Sequence, residues 1–236
     1  MTGPGGLLLP PLMSARACAD DPARAACQAA MQGCDAGLMT WRVTPAAVQA
    51  ALVFAPEVDL ARAMIMLPLC GVGFQNALGA LSPPEVAVEL RWDGTILLNG
   101  AACGRLRAHA ADPGARPAGP PDWLVVALDL RLTLTEGGAD PQITALYEEG
   151  CGEVTPEALL EAWARHTLNW IGRWEADGNR VLHEEWRGLV PDIGQASTLA
   201  DHPGKVLGTD ESFGLLIARD DTTHLVPLTH LLEDMP

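Results

Sequence analysis

"ELRWDGTILLNGAACGRL", Glu89 to Leu106, is the stretch whose reading decides the fold. Asn99-Gly100 sits between two apolar runs. Both residues tolerate the positive φ that a two-residue hairpin turn demands. The spacing predicts one β-strand, a tight turn at Asn99-Gly100 and a return strand. Arg91-Trp92 opens the outgoing strand and Gly104-Arg105 lies on the return. A hairpin that only has to fold needs neither pair.

The 236-residue chain is long enough for one large domain, or one large and one small. Its formal net charge of −15 offers no electrostatic footprint for nucleic acid or an anionic membrane. Lys205 is the only lysine, so an arginine elsewhere can reflect compositional bias as well as chemistry. Cys18, Cys27, Cys34, Cys70, Cys103 and Cys151 form no C-x-x-C pair. Neither they nor the scattered histidines have metal-ligand spacing, so no metal site is expected. "GLLLPPLM" lacks a basic flank and contains two prolines, unlike a signal peptide. No apolar run is long enough for a membrane span. A soluble protein of the reducing cytoplasm is the expectation.

Outward from the hairpin, residues 1–16 read as an extended lead-in. Asp21 with Pro22 opens an Ala-rich helix that runs to about Gln32. "LMTWRV" and "AALVFA" read as strands, and "DLARAMIMLPLCGVGFQNALGAL" as a helix. Its Gly71-x-Gly73 has no third glycine and no buried strand before it, so close helix packing reads better than a phosphate loop. "ADPGARPAGPP" is a surface loop and "DWLVVALDLRLTL" a strand. Thr155-Pro156-Glu157 starts a long helix whose inner face carries Leu159, Ala162, Trp163, His166, Trp170 and Trp174. "KVLGTDESFGLLIARDDTTHLVPL" reads as short strands of a small β-module. Strands and helices do not alternate regularly, which favours α+β.

Four segments in one order resemble the biotin protein ligases and their lipoate-ligase relatives. The family signature K-W-P-N-D, three apolar residues, D/N-G and then A-G is matched by Arg91-Trp92-Asp93-Gly94-Thr95, Ile96-Leu97-Leu98, Asn99-Gly100 and Cys103-Gly104. "WLVVALDLRL" is similar to the strand that follows. "ITALYEEGCGEVTPEALLEAW" is similar to the A-T-S-L-x-E-E-x-G segment, and "HEEWRGL" with "GKVLGTDESFGLLI" to the closing helix and C-terminal barrel. The resemblance implies a mixed β-sheet packed with helices, of the class II aminoacyl-tRNA synthetase/biotin synthetase type, over residues 1–190. It implies a small SH3-like β-barrel over 191–236. It further implies ATP with Mg2+, a biotin- or lipoate-like carboxylic acid activated as an acyl-adenylate, and an acceptor protein.

Arg91 stands where the family's lysine supplies a cation to the developing charge. A guanidinium keeps that charge but is a planar fork suited to bidentate anion binding. A solvated strand start is the alternative. Trp41, Arg42, Trp92, Asn99, Gly100, Cys103, Gly104 and Arg105 are the candidate ligand contacts. Gly104 is either a glycine facing ligand or a turn or bulge glycine, Trp92 favours packing, and Arg105 with Arg107 fits an exposed strand face. The family's G-R-G-R-R-G-x-x-W loop is missing from "GCDAGLMTWRVTPAAVQAALVF", and "CADDPARAA" replaces its S-T-N signature. Two functions therefore compete: a divergent carboxylate-activating ligase, and a non-catalytic binding module on the same fold. A partner-interaction protein using the β-module and the acidic surface is the third.

Overall fold

A computed structural model describes residues 6–111, 119–134, 140–197, 199 and 201–236. Most of the expected loop at 111–121 and the start of the lead-in lie outside the described residues. The elements in chain order are β1 (Ser14–Ala17), α1 (Pro22–Met31), β2 (Leu38–Val43), β3 (Ala47–Phe54), α2 (Leu60–Ala63), α3 (Met66–Gly79), β4 (Val88–Leu90), β5 (Thr95–Leu98), β6 (Ala101–Ala110), β7 (Leu124–Arg131), α4 (Pro156–Asp177), α5 (Asn179–Arg187), β8 (Lys205–Thr209), β9 (Leu215–Arg219) and β10 (Thr222–Val226). Seven strands form one sheet in the order β1-β2-β3-β7-β6-β5-β4, and β8 to β10 form a second, antiparallel sheet. Among the strand pairs of the described residues in the large sheet only β1–β2 is parallel, so the sheet is mixed, as expected for this α+β fold.

The opening stretch makes two reversals rather than one. Asn99 and Gly100, at φ 49° and 86°, form the expected turn between β5 and β6. Ahead of it, Arg91 to Gly94 turns β4 into β5, with Gly94 N–H donating to Arg91 O at 3.1 Å and Asp93 Oδ1 accepting from Thr95 N at 3.0 Å. Asp-Gly is itself a hairpin dipeptide, because Gly94 takes φ 89° without strain. The helix expected from Asp59 onward is also split. Pro68 has no N–H to bond the carbonyl of Met64, so α2 ends and α3 restarts through Leu67 N–H to Met64 O at 2.9 Å.

One face of the large sheet is packed by α3, and α4 packs against α3. Their shared core takes in Trp163, Trp170 and Trp174, and each indole N–H finds an acceptor, at Cys70 O (3.0 Å), Asn76 Oδ1 (2.8 Å) and Asn179 Oδ1 (2.7 Å). Large aromatic side chains bury well only when that polar handle is paired. His166, expected on this face, is half-buried at its edge, and Thr167 takes the interior position. The C-terminal unit consists of three strands, with no pairing between β8 and β10 among the described residues. Its Phe213, Leu215 and Ile217 join the same core as Trp92 and Trp186. No helix among the described residues is long and apolar enough to cross a membrane.

Candidate functional site

Strand alternation sorts the predicted residues onto two faces of the sheet. Trp41 points into the main core, while its neighbour Arg42 points to the opposite face. On that opposite face α1 covers Ala51, Val53 and Ala127 with Ala23, Ala26 and Cys27, and Thr40 Oγ1 donates to Pro22 O at 2.7 Å. Beyond the reach of α1 the face turns polar. Arg42 lies opposite Gln49, Gln49 opposite Asp129, and Asp129 opposite Arg105.

These side chains form a continuous band. Arg42 Nε and Nη2 donate to Gln49 Oε1, and Gln49 Nε2 donates to Asp129 Oδ1. Arg107 Nη2 donates to Asp129 Oδ2 at 2.6 Å. At the far end Glu233, from the C-terminal tail, brings Oε1 to 3.0 Å from Arg105 Nη2 and Oε2 to 4.0 Å from Arg107 Nη1. The tail is held there by Glu233 N–H to Ala108 O at 2.9 Å. His109 Nδ1 lies 2.9 Å from Asp234 O, a contact that requires the proton on Nδ1. The band opens at both ends. Arg42 lines a groove of about 530 Å³ with Cys18, Asp20, Asp21, Arg24 and Gln28. Arg105 and Glu233 line a cleft of about 300 Å³ with Asp93, Thr95 and His230. Both volumes are of the size that holds small molecules.

Arg91 lies elsewhere. Its Nε stands 3.3 Å from Asp192 Oδ1, where the large sheet meets the C-terminal unit. That N–H has no aligned hydrogen-bond acceptor, so the contact is an ion pair without a well-formed hydrogen bond. The hollow beside Arg91, lined also by Trp92, Gly94, Trp186 and Phe213, measures about 10 Å³, room for roughly one water. Trp92 is buried there and donates from Nε1 to Phe213 O at 2.7 Å. Burial pushes the Asp192 carboxyl above the usual carboxylate range; Arg91 opposes that shift and Asp93 adds to it.

Gly104 sits between Ile96 of β5 and Leu130 of β7. A methyl there would strike Asp129 O and stand 2.9 Å from Leu130 Cδ1, so the glycine serves close strand approach. The β5–β6 register shifts at this point, leaving Cys103 unpaired in the ladder. Cys103 is fully buried, and that burial pushes its thiol up to about 12. Asn99 works in its turn, accepting from Ala87 N–H at 2.9 Å and donating to Glu149 Oε2 at 2.6 Å, with Gly100 exposed beside it. The fold thus gathers Arg42 and Arg105 on one face. It places Arg91 and Trp92 at the junction, Trp41 and Cys103 in the core, and Asn99-Gly100 at a turn. Gln49, Asp129 and Glu233 were not singled out from the sequence. The first two are the lone polar residues within "AVQAALVF" and "LVVALDL", which is a readable signal.

Residues 9–188 match the biotin/lipoate A/B protein ligase family, and residues 193–234 match a domain of unknown function, DUF4444. The chain belongs to the biotin/lipoate A/B protein ligase family. It is 53% identical to a biotin protein ligase-like protein of unknown function from Silicibacter sp. TM1040. That likeness covers 96% of this chain and 99% of the other, with a TM-score of 0.90. Biotin protein ligase from Aquifex aeolicus shares the fold at 13% identity, with a TM-score of 0.70 over 88% of this chain and 92% of that one. Another structure of the Aquifex aeolicus ligase, in complex with biotin and ATP, gives a TM-score of 0.70 at 12% identity over 94% and 96% of the two chains. A biotin–[acetyl-CoA-carboxylase] ligase from Paracoccus denitrificans is 24% identical over 186 residues, 74% of this chain and 71% of that protein.

Proposed function

We propose that the protein binds a small carboxylic acid of the biotin or lipoate kind on the open sheet face, with Arg42, Arg105 and Arg107 as the anion-binding groups. The observation that carries this reading is the carboxylate of Glu233 between Arg105 and Arg107. A chain of net charge −15 gathers three guanidinium groups on one face, and one pair of them already faces a carboxylate. Guanidinium forks match carboxylates in shape, and such charge-assisted hydrogen bonds are about twice as strong as neutral ones. In this reading Arg91 holds the junction through Asp192 and takes no direct part in binding.

The family membership favours a second reading, in which the acid is activated with ATP and Mg2+ and passed to an acceptor protein. The residues fit this only in part. The three arginines suit phosphate oxygens, but β2 runs into β3 through Thr44-Pro45-Ala46, closed by Thr44 N–H to Ala47 O at 2.8 Å. Between β2 and β3, among the described residues, that hairpin offers no loop to fold over a labile mixed anhydride and exclude water. Asp129 and Glu233 are already committed to arginines, so no carboxylate of the band is free for Mg2+. We therefore favour a binding protein over a ligase. We place it in the cytoplasm, where its six free cysteines would stay reduced, with no nucleic-acid or membrane partner.

Titration calorimetry of the full chain against biotin, lipoate, octanoate and ATP tests the reading. At least one of the acids should bind. Arg42→Ala or Arg107→Ala should weaken it about tenfold or more, as the loss of a charge-assisted contact implies. Arg91→Ala should leave it unchanged, and Glu233→Gln, by removing the resident carboxylate, should strengthen it. No heat with any of the acids removes the proposal. ATP–pyrophosphate exchange dependent on a carboxylate would replace it with the ligase reading.

A further inference from the structure

Three ligating side chains meet where the chain enters and leaves the C-terminal sheet. Asp201 and His202 lie just ahead of β8, and His230 lies in the 3-10 turn Leu228–Leu231 that follows β10. One ligating atom from each lies within 4.8 Å of the others. His230 Nε2 is 3.3 Å and His202 Nε2 3.5 Å from the same oxygen, Asp201 Oδ2. The two imidazoles meet edge to face, with centroids 4.9 Å apart.

The distances fit two arrangements, a loose ion pair and donors set around a shared metal ion. A charge-assisted hydrogen bond brings nitrogen and oxygen to about 2.7–2.9 Å, and both contacts are longer. A metal ion with bonds of about 2.0–2.2 Å to nitrogen and oxygen in tetrahedral array sets neighbouring donors roughly 3.3–3.6 Å apart. Both imidazole–carboxylate spacings fall in that range. His202 is half-buried while His230 and Asp201 are exposed, so an ion can enter and water can complete its shell.

We infer that Asp201, His202 and His230 bind a divalent transition-metal ion of the zinc type. Two imidazoles and one carboxylate suit Zn2+ and its transition-metal neighbours, whereas Mg2+ demands oxygen donors. Three protein ligands leave a fourth position for water or an anion, the pattern of open zinc sites. His230 also lines the 300 Å³ cleft that Arg105 and Glu233 border, so the ion borders the space in which a small anion could sit. The site stands independently of the carboxylate reading. It escapes a spacing-based reading because its ligands are gathered only when β8, β9 and β10 fold back on themselves.

Calorimetric titration of Zn2+ into the full-length, chelator-treated protein tests the site, with the visible spectrum of the Co2+ form as a second readout. One ion should bind per chain, and the cobalt spectrum should show nitrogen and oxygen ligation with no sulfur-to-cobalt charge transfer. His202→Ala and His230→Ala should each weaken binding roughly tenfold or more, since even losing an outer-shell partner of a ligand costs about tenfold. Far-UV circular dichroism of both variants should match the parent, because neither side chain is part of the core. Three results overturn the proposal: no binding, unchanged binding in the His202→Ala/His230→Ala double variant, or a thiolate spectrum, which assigns the ion to cysteine.

Discussion

A guanidinium at the end of a strand can serve a ligand or serve the fold, and at Arg91 its surroundings favour the fold. Asp192 faces it at 3.3 Å, and the adjoining hollow admits about one water. Asp192 carries the measurable consequence. Its carboxyl is raised, first by burial, and Arg91 holds the rise in check. A raised carboxyl binds its proton more tightly in the native state than in the unfolded chain, where the value is about 3.9. The contribution to stability is therefore fully present below that value and is lost as pH rises through the native one. Arg91→Met removes the opposing charge and should raise Asp192 further, moving the upper end of this window to higher pH. Asp192→Asn should abolish the window. Carbon-detected NMR titration of the Asp192 carboxyl reads both values directly, and an identical titration in wild type and Arg91→Met would contradict this account.

At the scale of elements, the crossing of α3 and α4 rests on Gly73. A methyl there would stand 2.8 Å from Thr167 Oγ1 and 3.1 Å from Thr167 N, so the two helices approach through the missing side chain. Gly73→Ala gains up to about 1 kcal/mol of helix propensity. The clash with a backbone that cannot step aside is of the kind that costs about 1–3 kcal/mol, so net destabilisation is expected in urea unfolding. Adding Thr167→Ala should recover only part of the loss, because the added methyl still presses on the Thr167 backbone; full recovery would mean that the hydroxyl alone set the spacing. This packing was legible in the Gly71-x-Gly73 spacing, as were the long Trp-bearing helix and the Asn99-Gly100 turn, because local periodicity and turn chemistry specify them. The Asp93-Gly94 reversal is equally local, but the apolar run on either side of it reads as one continuous strand. The candidate site was less legible for a different reason. Arg42, Gln49, Asp129 and Arg105 become neighbours through the pairing of β2 with β3, β3 with β7 and β7 with β6, and Glu233 joins them from the tail. Strand alternation gives the face on which a residue lies, but not which strands stand side by side.

At the scale of the whole molecule, the 191–236 unit is tied to the rest through a buried junction. Trp92 Nε1 donates to Phe213 O at 2.7 Å, and Phe213 packs edge-on against Trp186 with ring centroids 6.2 Å apart. Phe213 holds φ 64°, a conformation that a bulky residue keeps only when its surroundings enforce it. Trp92→Phe retains most of the apolar contact but leaves the buried Phe213 carbonyl without its donor, which should cost about 1–3 kcal/mol. Because Phe213, Leu215 and Ile217 share one core with Trp92 and Trp186, that loss should lower the stability of both units together. Every tryptophan precedes residue 190, so indole fluorescence follows the large sheet and its helices, with Trp92 and Trp186 reporting the junction as well. Amide exchange in β8 to β10 follows the C-terminal unit. In urea the two signals should move at one midpoint in the wild type and at one lower midpoint in Trp92→Phe. If β8 to β10 lose protection while the fluorescence stays native, the junction couples the units weakly, and the C-terminal sheet opens on its own.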